Sequence, residues 1–310
     1  MPYNELKPQS KIIAVGGAKG GISKSLFAVN LGVHYARQGK RTVLIDLDLG
    51  GANLHLFLGL WSLKYRLDDY LGKKSASLEG VMTETKYGLF LIGGGGGGLG
   101  SANIPFAQKL KLLRAIKRLE ADYIILDLGG DTSFNIIDFY LAADCGIVLT
   151  SCDPTSYLDA YSFIKASLYR RLTRLFGPES LYRKQKNTNL LSLIDDFVSK
   201  SGGNGGSYVT DLIENVGREV PEALDLTLEV LNGFKPNVVV NMTSGDSDVG
   251  AIVGRLQKVS AKMLSIDIRF LTSIPLDDNV KRSANDLVPE LARNTDGILS
   301  DRIQQVAVQI

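Results

Sequence analysis

Lys19-Gly20-Gly21-Ile22-Ser23-Lys24-Ser25 is the segment of this 310-residue chain whose residue types and spacing are best suited to chemistry. It follows the β-branched run Lys11-Ile12-Ile13-Ala14-Val15 and the pair Gly16-Gly17, and it opens a stretch with helical apolar spacing at Leu26, Val29, Leu31 and Tyr35. Strand, glycine turn and helix therefore come in the order that anion binding requires. Small residues let successive backbone N–H groups point inward, and a helix N-terminus adds partial positive charge. Lys24 is placed to neutralise β- and γ-phosphate oxygens, and the Ser25 hydroxyl to complete a Mg²⁺ shell.

Other chemistry-bearing residues fall at comparable places. Asp46 follows Thr42-Val43-Leu44-Ile45, Asp127 follows Tyr123-Ile124-Ile125-Leu126, Asn241 follows Val238-Val239-Val240, and Pro275 closes the segment after Ile268-Arg269-Phe270-Leu271. Ligands of open parallel sheets sit beyond the carboxyl ends of the strands, at a switch point. Lys19, Asp46, Asp127, Asn241 and Pro275 each lie at or just past such an end. Taken singly, an Asp or Asn after a strand also reads as a helix cap. Together the five predict a nucleotide site.

The usual pattern G-x-x-x-x-G-K-[ST] is not met, because Ala18 and Ser23 occupy its two glycine positions. With its second lysine, Lys19, the turn K-G-G-x-x-K-S instead resembles the deviant Walker A motif of the ParA/MinD family of P-loop ATPases. That resemblance implies that Lys19 reaches across a dimer to the partner's phosphates, and that Ala18, Gly20, Gly21, Ile22, Ser23, Lys24, Ser25 and Leu26 line the nucleotide. Asp46-Leu47-Asp48-Leu49-Gly50 is similar to the family's first switch, in which Asp46 would orient the metal shell and Asp48 the attacking water. Tyr123 to Gly130 is similar to the Walker B strand, so Asp127 would hold Mg²⁺ through water. Val239-Val240-Asn241 and Ser273-Ile274-Pro275 resemble the segments that bind adenine and close over it. The catalytic set implied is Lys19, Lys24 and Asp48; the metal set is Ser25, Asp46 and Asp127; the cofactors are ATP or ADP with Mg²⁺.

The elements that must position these residues are legible as periodicity. Seven β-branched runs alternate with helix-length segments, and runs apolar on both faces point to a mainly parallel sheet covered on both sides. The expectation is a three-layer α/β/α sandwich with about seven strands, forming one domain over 1–310 with a helical insertion at about 155–235. Gly93 to Gly98 read as a plain surface loop.

Composition narrows the class. Hydrophobic residues make up 45% of the chain, which suits a globular core rather than disorder, and 35 Lys+Arg nearly cancel 33 Asp+Glu. Two cysteines, Cys145 and Cys152, provide no disulfide framework, and Met1 to Ser10 is polar, so a cytoplasmic protein is expected. No G-x-S-x-G supports covalent hydrolase chemistry, and neither His34 nor His55 has the spacing of a zinc ligand.

Asp48 to Gly59 looks closer to the FlhG and MinD side of the family, which places flagella or division sites, than to the plasmid-partition side. The resemblance implies an ATP-dependent homodimer with slow, partner-stimulated hydrolysis and a protein activator or cargo. Contact with the inner face of the membrane is left open, although Ile298 to Val306, with Arg302 as its single basic residue and no aromatic, lacks the basic face and aromatics of a membrane helix and reads as core packing. Non-specific DNA contact is also open, because Lys165 to Lys186 carries seven basic residues against one acid; the plainer reading is a solvated helix face. Ser23 sets the remaining choice. A side chain where the loop favours glycine costs about 1–3 kcal/mol of backbone strain. That predicts weak ATP hydrolysis, with a non-hydrolysing scaffold of the same fold as the alternative.

Overall fold

The computed structural model describes residues 10–17, 20–48, 51–95, 104–201, 208–244 and 246–310. The strands are β1 (Lys11–Gly16), β2 (Thr42–Leu47), β3 (Thr83–Glu84), β4 (Phe90–Ile92), β5 (Tyr123–Leu128), β6 (Cys145–Thr150), β7 (Asn237–Thr243) and β8 (Arg269–Pro275). They form one sheet in the order β3-β4-β2-β5-β1-β6-β7-β8. Every neighbouring pair is parallel except β3 with β4. Among the described residues the sheet thus has eight strands rather than seven. The extra one, β3, is two residues long, polar and at the edge, so it carries no apolar run to reveal it.

Between the strands lie α1 (Lys24–Arg37), α2 (Leu54–Phe57), α3 (Leu67–Leu71), α4 (Phe106–Ile116) and α5 (Phe134–Leu141). They are followed by α6 (Pro154–Thr173), α7 (Thr188–Ser201), α8 (Val209–Glu219), α9 (Leu224–Asn232) and α10 (Asp246–Leu264), and then by α11 (Asp278–Asn285), α12 (Glu290–Arg293) and α13 (Ile298–Gln309). Helices α6 to α9 all fall between β6 and β7, which is the stretch whose pattern reads as a helical insertion.

Period-2 alternation divides the strand side chains between two cores. Ile12, Ala14, Val43, Ile45, Ile124 and Leu126 pack into one, with residues of α4 to α10. Ile13, Val15, Leu44, Ile125, Ile147 and Val239 pack into the other, with α1 and α13. The result is the three-layer arrangement, because strands apolar on both faces must be covered on both. Leu299, Ile303 and Val306 of α13 are buried in the second core, so the C-terminal helix is core packing.

The glycine run departs from the surface-loop expectation. Gly93 to Gly95 are buried, while Gly96 to Gly98 lie outside the described residues. A Cβ on Gly94 would stand 2.6 Å from the Ala52 Cβ and 3.1 Å from the Asp46 carbonyl oxygen. Absence of a side chain here lets the end of β4 close on the segment after β2.

Candidate functional site

Strand β1 ends at Gly16, and the chain turns through Gly17 at φ 146°, where a Cβ would meet the Leu149 carbonyl oxygen at 2.7 Å. Ala18 and Lys19, both expected site residues, lie outside the described residues. The turn resumes at Gly20 and Gly21, the latter at φ 79°, and Ile22 is buried beneath it. Ser23 precedes α1 with φ 62° and ψ 35°, a left-handed backbone. This is the strain that serine at a glycine position predicts, of order 1–3 kcal/mol.

Lys24 and Ser25 open α1. Lys24 is buried; desolvation lowers its pKa, while the carboxylates of Asp127, Asp48 and Asp131 act in the opposite sense. The segment after β5 leans over the turn: a Cβ on Gly130 would lie 3.1 Å from the Gly20 nitrogen and 3.2 Å from Lys24 Nζ. Gly130 and Asp131 thus belong to the site beside the expected residues, and the glycine pair after Asp127 is the sequence signal for them.

Asp46 and Asp127 are direct neighbours in the parallel register of β2 with β5, and each is 1% exposed. Asp46 accepts hydrogen bonds from the backbone N–H of Asp48 and of Leu54, both at 3.1 Å. Burial outweighs those bonds and pushes its pKa up to about 7. Asp127 is raised well above the carboxylate range, first by burial and then by Asp46, with Ser25 and Lys24 opposing. Among the described residues, its Oδ1 is buried without a hydrogen-bond partner. Two buried carboxylates, one with an orphaned oxygen and a serine hydroxyl beside it, form the hard-oxygen donor set that suits Mg²⁺. Asp48 lies across from them, accepting from the Gly51 N–H at 3.0 Å and standing 3.3 Å from the Cβ position of Gly129.

On the other side of the turn, Asn241 donates from Nδ2 to the Ile22 carbonyl oxygen at 2.9 Å. A cavity of about 450 Å³ opens there, lined by Ser23, Leu26, Asn241, Met242, Pro275 and Leu276 among others. Its size and apolar walls with a few polar groups suit a small organic ligand. Met242 is a residue that sequence reasoning missed. It sits at φ 58° where the register of β7 with β8 shifts, and no pattern of residue types marks such a bulge. A second cavity, bounded by Gly20, Gly21, Ile22, Ser151 and Asp153, shares Met242 and Leu276 with the first. The structure therefore brings Gly20 to Leu26, Asp46, Asp48, Asp127, Asn241 and Pro275 to one edge of the sheet.

The basic stretch is not the solvated face that its composition suggests. Arg170 donates from Nε and Nη2 to Asp138 at 2.7 and 2.9 Å, and Lys109 meets the same carboxylate. Arg174 pairs with Glu179 through two bonds of 2.7 Å, and Lys165 donates to the Ser201 carbonyl oxygen at 3.2 Å. Arg183, Lys184 and Lys186 remain exposed. Among the described residues, no helix is long and apolar enough to cross a membrane.

The chain is similar to known proteins in sequence and in fold. It is 32% identical over 170 residues to the flagellum site-determining protein YlxH of Helicobacter pylori, covering 51% of this chain and 54% of that one. It is 31% identical over 158 residues to the antiactivator FleN of Pseudomonas aeruginosa, covering 50% and 55%. The chain thus spans about half the length of these curated relatives. Among solved structures, the septum site-determining protein MinD of Pyrococcus horikoshii, in complex with Mg-ADP, superposes with a TM-score of 0.60 at 17% identity, over 97% of this chain and 95% of that one. A ParA family ATPase from Chlorobium tepidum gives 0.64 at 15% identity, over 97% and 98%. Residues 13–289 match the CobQ/CobB/MinD/ParA nucleotide binding domain, from the first strand through α11, and this chain belongs to that family.

Proposed function

We propose that the chain is an ATP-binding positioning switch of the FlhG and MinD kind. It takes up Mg·ATP, pairs with a second copy while nucleotide is bound, and hydrolyses it slowly until a protein activator or cargo accelerates the reaction. The observation that carries this reading is the convergence of Lys24, Ser25, Asp46 and Asp127 at adjacent strand ends, with a buried carboxylate oxygen left unpaired. The relatives named for flagellum and septum site determination support placement of a flagellum or division site as the output.

In this reading Ala18, Lys19 and Gly20 to Ser25 hold the phosphates through backbone N–H groups, and Leu26, Asn241 and Pro275 border the adenine. Mg²⁺, held by Ser25, Asp46 and Asp127, supplies charge neutralisation on the phosphate oxygens when bound. Asp48 orients the attacking water, while Lys24 and the partner's contribution at Lys19 stabilise charge on the transferring phosphoryl group. The working place is the cytoplasm or the inner membrane face.

One observation favours a second reading, a non-hydrolysing scaffold of the same fold: the left-handed backbone of Ser23 just ahead of Lys24. The DNA-binding alternative loses support because Arg170 and Arg174 are engaged in intramolecular ion pairs. Calorimetry with Mg·ATP, phosphate release and light scattering test the choice together. Heat, slow release and an ATP-dependent dimer are expected. Absence of heat at millimolar nucleotide removes the switch, and binding without release leaves the scaffold.

A further inference from the structure

The chain has a single tryptophan, Trp61, and it stands 80% exposed. Tyr65, four residues on, is 44% exposed. The loop that carries both, between α2 and α3, is fastened on either side. Gly59 and Leu60 donate their N–H groups to the carbonyl oxygens of Leu56 and His55 at 2.8 and 2.9 Å, and Leu67 donates to that of Gly93 at 2.9 Å. Leu60 and Leu63 pack on the second core. The apolar residues flanking Trp61 are thus covered while the largest one is left in water, an outcome that burial of apolar surface alone does not favour.

The loop's own charges are basic: between Asp48 and Asp68 the sequence holds Lys64 and Arg66 and no acid. Lys86 joins them from the turn between β3 and β4, its Nζ 3.6 Å from the Cβ position of Gly59. Lys64 Nζ lies over the Tyr65 ring at 5.1 Å and Lys86 Nζ over the Tyr87 ring at 5.2 Å. Among the described residues, neither lysine forms an ion pair with a carboxylate. Indole and phenol rings favour the boundary between water and lipid, and ammonium groups beside them attract acidic headgroups. We propose that residues 61–66, together with Lys86, are a contact for an anionic lipid surface. Trp61 enters the headgroup boundary, and Lys64 and Lys86 meet the headgroup charges. A nucleic-acid duplex offers phosphates to the lysines but no apolar layer to the indole, and α13 has spent its apolar face on the core. The contact gives the membrane side of the reading above a place on the molecule, and it needs no nucleotide, so its failure leaves ATP binding untouched.

The test is flotation of the nucleotide-free full chain with vesicles of phosphatidylcholine alone or mixed with phosphatidylglycerol, read together with tryptophan emission. Since Trp61 is the chain's one tryptophan, the emission reports this loop and no other. Anionic vesicles are expected to float the chain, shift its emission to shorter wavelength and, when their acyl chains are brominated, quench it; salt should weaken all three. Trp61→Ala should bind about tenfold more weakly or worse, since burying a large apolar side chain is worth at least that much. Lys64→Gln and Lys86→Gln should each cost about fivefold on anionic vesicles. Lys184→Gln with Lys186→Gln, on the exposed basic segment after α6, should stay within about twofold, a change too small to mark a lost headgroup contact. No flotation at low salt overturns the contact, and so does flotation that leaves the emission of the unaltered chain unchanged, a readout that requires no variant to fold. Loss of binding in the Lys184 and Lys186 variant equal to that in Trp61→Ala also overturns it, because attachment would then follow basic charge at large. An emission shift with poly-glutamate and none with vesicles assigns the loop to an acidic protein instead.

Discussion

Asp46 and Asp127 face each other in register at the ends of β2 and β5, both buried. Two carboxylates this close disfavour each other's ionisation. Because the folded pKa of Asp46 stands near 7, above its ordinary 3.8, the metal-free chain is stabilised by protonation, and that stability is lost as pH rises toward and through 7. The melting temperature without divalent cation is expected to fall between about pH 5 and pH 8. Mg²⁺ should raise it more at the alkaline end, and Asp46→Asn should flatten the profile. A pH-independent melt in the unaltered chain would count against the pair as a cation site.

Asn241 and Ile22 supply the next prediction. Removing the Asn241 amide with Asn241→Ala leaves the Ile22 carbonyl oxygen without that donor in a buried setting, which costs about 1–3 kcal/mol. The chain should melt earlier even without nucleotide. Asn241→Gln, which keeps the amide, should recover part of the loss. Identical melts for Ala and the unaltered chain would show that the bond is not maintained in solution.

For Asp48, the proposed role separates binding from turnover. Asp48→Asn keeps the acceptor for the Gly51 N–H and removes the charge. Mg·ATP affinity is expected to stay within about twofold, while phosphate release falls by roughly 10²-fold or more, the usual scale of a lost proton acceptor or water-orienting group. Unchanged release in a single-turnover assay would exclude Asp48 from the reaction.

Asp138 joins α4, α5 and α6 by binding Lys109 and Arg170. Their charges and hydrogen bonds hold its carboxyl below the usual range despite burial. Its contribution is therefore present at neutral pH and lost as pH falls through that lowered value. Asp138→Asn should cost about 2–4 kcal/mol at neutral pH, toward the lower end of breaking a buried pair. The difference in urea midpoint between variant and unaltered chain should shrink in acid. For the same reason, replacing Arg170 and Arg174 by alanine should lower stability more than any affinity for duplex DNA.

The parallel strands are legible in the sequence because burial on both faces demands uninterrupted apolar runs, as in Ile12 to Val15 and Ile124 to Leu126. Edge strand β3 escapes that logic, being short and polar. Gly93 to Gly95 escape it for another reason: a glycine run is the same in sequence whether the chain floats or is clamped, and only the approach of Ala52 and Asp46 distinguishes the two. The charge count of Lys165 to Lys186 is likewise blind to Asp138, which lies at least 27 positions upstream in the chain yet adjoins Arg170 in space.

By itself, the sequence determined the order strand, glycine turn, helix, the recurring carboxylates at strand ends, and the departure from glycine at Ser23, because these follow from residue type and local spacing. Tertiary structure alone decided that Asp46 and Asp127 share a register, that Asn241 ties β7 to Ile22, and that Ser23 occupies a left-handed backbone beside a cavity. Each of those depends on segments distant in sequence, brought together by the order of strands in the sheet, which local spacing does not encode.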